Sequence, residues 1–210
     1  MAEELSLDHL EVSGEIPETL VGTYARIGPN PFKPDPRGHH WFVGDGMVHG
    51  IRLAEGSAEW YHTRYIKSGT LERGGPPAAG GPRRGSRDTV NTNVLKLAGK
   101  TLALVESWPF PFELDRNLDT IASTNLQGTL TAPLTAHPHE DPKTGEWHAV
   151  TYESETQDTI WHVAINRAGE VIAERPIAVK DGPSIHECSI TDDYVIVFDL
   201  PVTISIPTLA

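Results

Sequence analysis

The side chains with the widest chemical reach in this sequence are its ten histidines, at positions 9, 39, 40, 49, 62, 137, 139, 148, 162 and 186. Neutral imidazole is a common ligand for iron and zinc through either ring nitrogen. No two of these histidines show ligand spacing on a helix, and the pattern His-Glu-x-x-His is absent. A metal site would therefore have to be assembled from residues far apart in the chain. Two contexts suit that task. His137 sits in Thr135-Ala136-His137-Pro138-His139-Glu140-Asp141-Pro142, a proline-bounded loop entering an extended run at 146–152. His139, two residues on, would face the same way in extended chain. His186 sits in Pro183-Ser184-Ile185-His186-Glu187-Cys188-Ser189-Ile190-Thr191, ahead of an apolar run at 194–198. Each is open to two readings, metal ligand or ordinary hydrogen-bonded histidine. Glu106 ends the apolar run Thr101-Leu102-Ala103-Leu104-Val105. It reads either as a solvated strand end or as a carboxylate that holds a ligating imidazole by its other nitrogen.

Other chemistries find less support. Ser184, His186 and Cys188 supply parts of a nucleophilic triad, but no Gly-x-Ser-x-Gly elbow accompanies them. No Walker loop is present, and no Gly-x-Gly-x-x-Gly follows a strand, so nucleotide binding has no motif behind it. Gly44-Asp45-Gly46 reads as a tight turn.

The elements that must position these residues read as β. Extended runs fall at 24–27, 47–53, 58–65, 93–97, 101–105, 148–152, 160–165, 171–176 and 194–198. Turn residues separate them: Gly44-Asp45-Gly46, Ala98-Gly99-Lys100, Lys143-Thr144-Gly145, Arg167-Ala168-Gly169 and Asp192-Asp193. Asp-Gly between extended runs is a hairpin signal because Gly accepts positive φ. Many short strands joined this way predict a sandwich, barrel or propeller. The best helix candidate, 17–21, is one or two turns at most. The glycine- and proline-rich stretch 74–85 reads as a loop inside one domain, since β signals flank it on both sides. A propeller blade takes roughly 40–50 residues, so the chain supplies at most four or five.

Composition narrows the function. Hydrophobic residues make up 38% and charged residues 22% of the 210, an ordinary folded chain. No apolar run approaches the roughly 20 residues needed to span a bilayer, and the acidic start Met1-Ala2-Glu3-Glu4-Leu5 is unlike a signal peptide. With Cys188 as the single cysteine, the expectation is a cytoplasmic protein without disulfides. A net charge of −12 argues against nucleic acid as a partner. The basic cluster Arg83-Arg84-Gly85-Ser86-Arg87 reads as a solvated loop tip, with peripheral contact to lipid headgroups as the second reading.

Five segments, in order, resemble the carotenoid cleavage oxygenase family, which includes the visual-cycle retinoid isomerase and the lignostilbene dioxygenases. The first runs from Gly14-Glu15-Ile16-Pro17 through Leu20-Val21-Gly22-Thr23-Tyr24-Ala25-Arg26-Ile27-Gly28-Pro29-Asn30-Pro31. The second is His40-Trp41-Phe42-Val43-Gly44-Asp45-Gly46-Met47-Val48-His49-Gly50. The third joins Asn91-Thr92-Asn93-Val94 to Leu102-Ala103-Leu104-Val105-Glu106 and Glu113-Leu114-Asp115. The fourth and fifth carry His137 and His186, in Thr135-Ala136-His137-Pro138-His139 and Ile185-His186-Glu187-Cys188-Ser189-Ile190-Thr191.

The resemblance implies an all-β fold in which residues 1–210 form the N-terminal part of one seven-bladed β-propeller. It implies a ferrous ion, Fe(2+), held by four histidines backed by glutamates. The reaction implied is cleavage of a carotenoid or apocarotenoid double bond with O2. His137 and His186 match two of the metal ligands, and Glu106 matches the glutamate that orients His186. The remaining two histidines lie further downstream in the family. The resemblance leaves two other functions open, stilbene cleavage and a non-catalytic carotenoid-binding remnant. The stilbene-cleaving branch resembles a version with lysine just before the glutamate, where this sequence has Val105; Tyr65 is similar to a tyrosine of that branch. Val105 favours an apolar polyene substrate.

Overall fold

The computed structural model describes residues 3–35, 37, 42, 44–72, 75–85, 87–153, 156, 158–180, 182 and 184–200. His39, His40 and the segment 203–210 lie outside the described residues.

Alternating β-branched and apolar runs fold into four antiparallel sheets, each built from consecutive strands. In the first, β2 (Gly22–Pro29), β3 (Gly46–Ala54) and β4 (Ser57–Tyr65) form a meander, and β1 (Ser6–Asp8) adds beyond β4. The second is β5 (Asn93–Leu97), β6 (Lys100–Leu104), β7 (Phe112–Leu114) and β8 (Thr120–Ser123). The third is β9 (His139–Glu140), β10 (Trp147–Tyr152), β11 (Thr159–Ile165) and β12 (Val171–Ala178). The last pairs β13 (Cys188–Ile190) with β14 (Val195–Val197). The one helix among the described residues is α1, Gly69–Glu72.

The turns explain why neighbours in sequence become neighbours in space. Leu97 pairs with Lys100 across a two-residue turn in which Ala98 and Gly99 both have positive φ, +47° and +82°. That twist matches the twist of the flanking strands. Gly44-Asp45-Gly46 behaves differently from expectation. It ends the long connection between β2 and β3, where Pro29 pairs with Gly46. Asn30 N donates to Asp45 O at 2.6 Å, and Phe32 N to Asp45 Oδ2 at 2.9 Å. Gly46 is needed for close approach: a Cβ there would meet Val90 O at 1.8 Å. The predicted helix at 17–21 is only a turn, closed by Leu20 N donating to Pro17 O at 2.9 Å.

Burial is organised between sheets. One cluster sets Val48 of the first sheet against Ala103, Phe112 and Leu114 of the second. Another sets Leu97, Leu102 and Leu104 of the second against Ala149, Val163 and Ile165 of the third. A third joins Val150, Tyr152 and Ile160 to Ile185 and Cys188 beside the last sheet. Strands β6 and β10 therefore bury both faces: Leu102 and Leu104 point one way and Ala103 the other. That is why 101–105 reads as a nearly continuous apolar run.

Candidate metal centre

His186 lies two residues before β13. The residue before it, Ile185, is buried in the cluster with Val150, Tyr152 and Ile160, and anchors the loop. The imidazole itself stands clear, with 63% of its side chain accessible. Its Nδ1 is hydrogen-bonded to Glu106 Oε2, a partner 80 residues away in the chain. The other carboxylate oxygen, Oε1, accepts from Tyr152 OH at 2.5 Å. Burial, and then the Glu106 hydrogen bond, push the Tyr152 hydroxyl far above the ordinary tyrosine range, so it stays a donor. A carboxylate against Nδ1 fixes the ring proton there and leaves Nε2 as the nitrogen with a lone pair.

His137 is held through its backbone. The segment 130–136 threads between the second and third sheets, with Leu130, Ala132, Leu134 and Ala136 in their shared cluster. Asn93, the first residue of β5, donates from Nδ2 to Ala136 O at 2.7 Å. The second sheet thus grips the chain one residue before His137. The His137 ring lies 4.4 Å from that of His186, centroid to centroid, at 57°. Its Nε2 is buried and has no hydrogen-bond partner among the described residues. Burial first, then the neighbouring His186, holds its pKa below the ordinary histidine value, against the opposing pull of Glu187 and Glu106. The ring is therefore neutral, the form that binds metal.

His139 does not join this pair. Its Nε2 lies 3.1 Å from Glu187 Oε1, at ion-pair distance but outside hydrogen-bond geometry. Among the described residues, no group of three or more His, Cys, Asp or Glu is placed to hold a metal ion. The two imidazoles and the Glu106 carboxylate are what this chain brings together.

Just beyond Glu106 the backbone reverses through two left-handed residues, Ser107 at φ +66° and Trp108 at φ +60°. A bulky residue there costs on the order of 1–3 kcal/mol and persists where the surroundings enforce it. Ser107 Oγ donates to Tyr152 O at 2.7 Å, tying the turn to β10. Beside it opens a cleft of about 670 Å³, whose lining includes Ile27, Pro29, Phe42, Val105, Trp108 and Pro109 together with Glu106, Tyr152, Ser184 and His186. A larger concavity, about 1210 Å³, lies along β2, β5 and β7 and carries no histidine. Glu106, Tyr152 and His186 line the smaller one.

The remaining candidates fall elsewhere. Tyr65 packs edge-to-face on Phe32 and accepts from Asn30 Nδ2 at 2.9 Å, and it does not line the cleft. Cys188 is buried, and burial raises its thiol pKa, which disfavours a nucleophile. Arg83, Gly85 and Arg87 of the basic cluster are exposed, as a loop tip implies, but two of its arginines are tied to neighbours. Arg83 pairs with Asp88 at 3.2 Å, and Arg84 pairs with Glu153 and donates to Trp108 O at 2.9 Å. Three contributors were absent from the sequence reading: Asn93 and Tyr152 as supports, and Trp108 in the cleft wall. Tyr152 had a legible signal, because a tyrosine closing an apolar strand needs a partner for its hydroxyl.

The family model described as retinal pigment epithelial membrane protein matches residues 1–209. A carotenoid cleavage oxygenase of Mycobacterium tuberculosis is 43% identical over 205 residues, covering 95% of this chain and 41% of that protein. A carotenoid 9,10(9',10')-cleavage dioxygenase of Arabidopsis thaliana is 32% identical over 223 residues, again 41% of its length. Among solved structures, the lignostilbene dioxygenase of Pseudomonas brassicacearum aligns with a TM-score of 0.85 at 26% identity, over all of this chain and 47% of that one. A cobalt-substituted Synechocystis apocarotenoid oxygenase aligns at 0.77 and 25% identity, over 94% and 47%. These are propeller folds, and the stacked sheets superpose on about half of each. The chain belongs to the family of retinal pigment epithelial membrane protein and the carotenoid cleavage oxygenases, and it spans 41% of the length of the curated relatives named here.

Proposed function

We propose that the whole protein is a non-haem Fe(II) dioxygenase that cleaves a double bond of a carotenoid or apocarotenoid, with His137 and His186 as two of its metal ligands. The observation that carries this reading is the pairing of a neutral, half-buried His137, whose buried Nε2 lacks a partner among the described residues, with a His186 whose Nδ1 is held by Glu106. A ring nitrogen without a protein partner and an imidazole oriented by a carboxylate are what a metal ligand set requires. Uncharged imidazoles leave a dication unneutralised, and Glu106 places a negative charge one residue away from it. The other ligands would come from outside the described residues, in a propeller closed to seven blades. Bound iron would supply open coordination positions and redox chemistry for O2.

The chain's own residues then do three things. Glu106 and Tyr152 fix the His186 ring. Asn93 fixes the loop of His137. The walls Ile27, Pro29, Phe42 and Val105 exclude water from an apolar polyene. The overall exchange is one C=C and one O=O for two C=O groups. The carotenoid-cleaving relative at 43% identity, and Val105 in the cleft wall, favour a polyene over a stilbene.

The test is metal analysis of the purified whole protein and its His137→Ala and His186→Ala variants, alongside carbonyl product formation from a carotenoid under O2. Stoichiometric iron in the parent and its loss in both variants is expected. Full iron occupancy in either folded variant would overturn the ligand assignment.

A further inference from the structure

We infer that Arg87 reads the end group of the substrate, and that the preferred polyene carries a carboxylate at the end that enters beside Trp108. This deepens the proposed polyene-cleaving function and rests on it.

Three arginines, Arg83, Arg84 and Arg87, lie in one short segment. Arg83 is paired with Asp88 at 3.2 Å and Arg84 with Glu153, so the charges of both are matched within the chain. Arg87 has no carboxylate partner among the described residues. Its guanidinium instead lies over the Trp108 ring, 5.5 Å from the centroid. A ring face stabilises a cation but leaves its charge unneutralised. The same Arg87 lines the cleft that holds Glu106 and His186.

Within that cleft the charges are unequal in availability. Glu106 is occupied on both oxygens, by Tyr152 and His186. Among the described residues of the lining Arg87 is the one arginine or lysine, and it stands beside apolar walls from Ile27, Phe42, Val105 and Pro109. A hydrophobic slot with one unneutralised guanidinium fits a long apolar body ending in an anion. A planar fork of N–H donors matches a carboxylate in two parallel hydrogen bonds, which an ammonium does not. Trp108 gives the fork its position. It follows Glu106 by two residues and is turned by the left-handed pair at Ser107 and Trp108. The residue that reads the end group is therefore geared to the carboxylate that orients His186.

The test compares the whole protein with its Arg87→Ala and Arg87→Lys variants. The probes are a polyene carboxylic acid and the hydrocarbon of the same polyene length, followed by quenching of tryptophan fluorescence and, in the iron-loaded enzyme, by KM and kcat. Arg87→Ala is expected to weaken binding of the acid about tenfold, the lower range for a charge-assisted hydrogen bond at an open site, with hydrocarbon binding and kcat unchanged. Arg87→Lys is expected to recover part of the loss. Unchanged discrimination between acid and hydrocarbon would overturn the inference, and so would an equal loss for both, which reports a collapsed cleft. The two claims separate cleanly. Acid-selective binding without cleavage of any polyene refutes the oxygenase reading and keeps the role of Arg87. Cleavage with no acid preference does the reverse.

Discussion

His137 and His186 are delivered by the same local device, a fully buried residue just before the imidazole and a short strand two residues after it. The two loops nevertheless hold their rings by different means. Ala136 is sealed between the second and third sheets and its carbonyl is clamped by Asn93, so His137 is placed by its backbone. Ile185 is sealed as well, but the His186 ring is mostly exposed and is placed by an acceptor on its own side chain, Glu106. Backbone placement couples a residue to the stability of the fold. Side-chain placement couples it to one partner.

That difference can be broken by substitution. Ile185→Ala is expected to have the largest effect, about 2–5 kcal/mol for a buried isoleucine, read by urea unfolding. A loss under 1 kcal/mol by that measurement would show that Ile185 does not anchor the loop. Glu106→Gln comes next, with stability nearly unchanged and iron affinity or turnover reduced roughly 10–100-fold. Wild-type iron content and turnover would make Glu106 an ordinary strand end.

Asn93→Ala sharpens the contrast from the other side. It leaves the Ala136 carbonyl without its donor and is expected to cost about 1–3 kcal/mol in unfolding, with a smaller effect on iron than Glu106→Gln. The reverse ranking would mean that His137 is not positioned through its backbone. The smallest effect expected is on pH dependence away from both loops. His162, stacked on His148 with His148 Nδ1 3.2 Å from its Nε2, has a lowered pKa from burial, then from His148 and Arg175. The folded state therefore binds this proton less readily than the unfolded chain. Its contribution is neutral above about pH 6.5 and destabilising as pH falls through that value. His162→Gln is expected to flatten the fall in melting temperature on acidification. An unchanged slope would remove His162 from the account.

Much of the fold was legible because its central strands carry their own signal. The runs at 93–97 and 160–165 emerge nearly as read, since Leu95, Leu97, Val163 and Ile165 pack into the core shared by the second and third sheets. The elements β1, β7, β8, β9 and β13 have two to four residues, too short for a period of two to register. The hairpin expected at Gly44-Asp45-Gly46 failed because Gly46 serves a close approach to Val90 rather than a tight turn. In the site, residue type and context marked His137 and His186, but spacing could not join His186 to Glu106 across 80 residues. Only the family resemblance did so. Asn93 escaped because a side chain that supports another residue's backbone leaves no pattern of its own, whereas Tyr152 left only the general need of a strand-end tyrosine for a hydroxyl partner.

The interleaved cores carry a consequence for local opening. Three apolar clusters each belong to two adjoining sheets, so none of them ties all four sheets together. Among the described residues the last sheet packs on the third, it has three paired positions, and Ile196 and the following Phe198 are exposed. Amide exchange is expected to reach the β13–β14 ladder before the third sheet, because few buried contacts oppose its opening. An ion shared by His137 and His186 would fasten the loop leading into that ladder to the loop leading into the third sheet. Occupancy would then be readable as slowed exchange at residues 188–197, with the metal acting as a latch on that ladder.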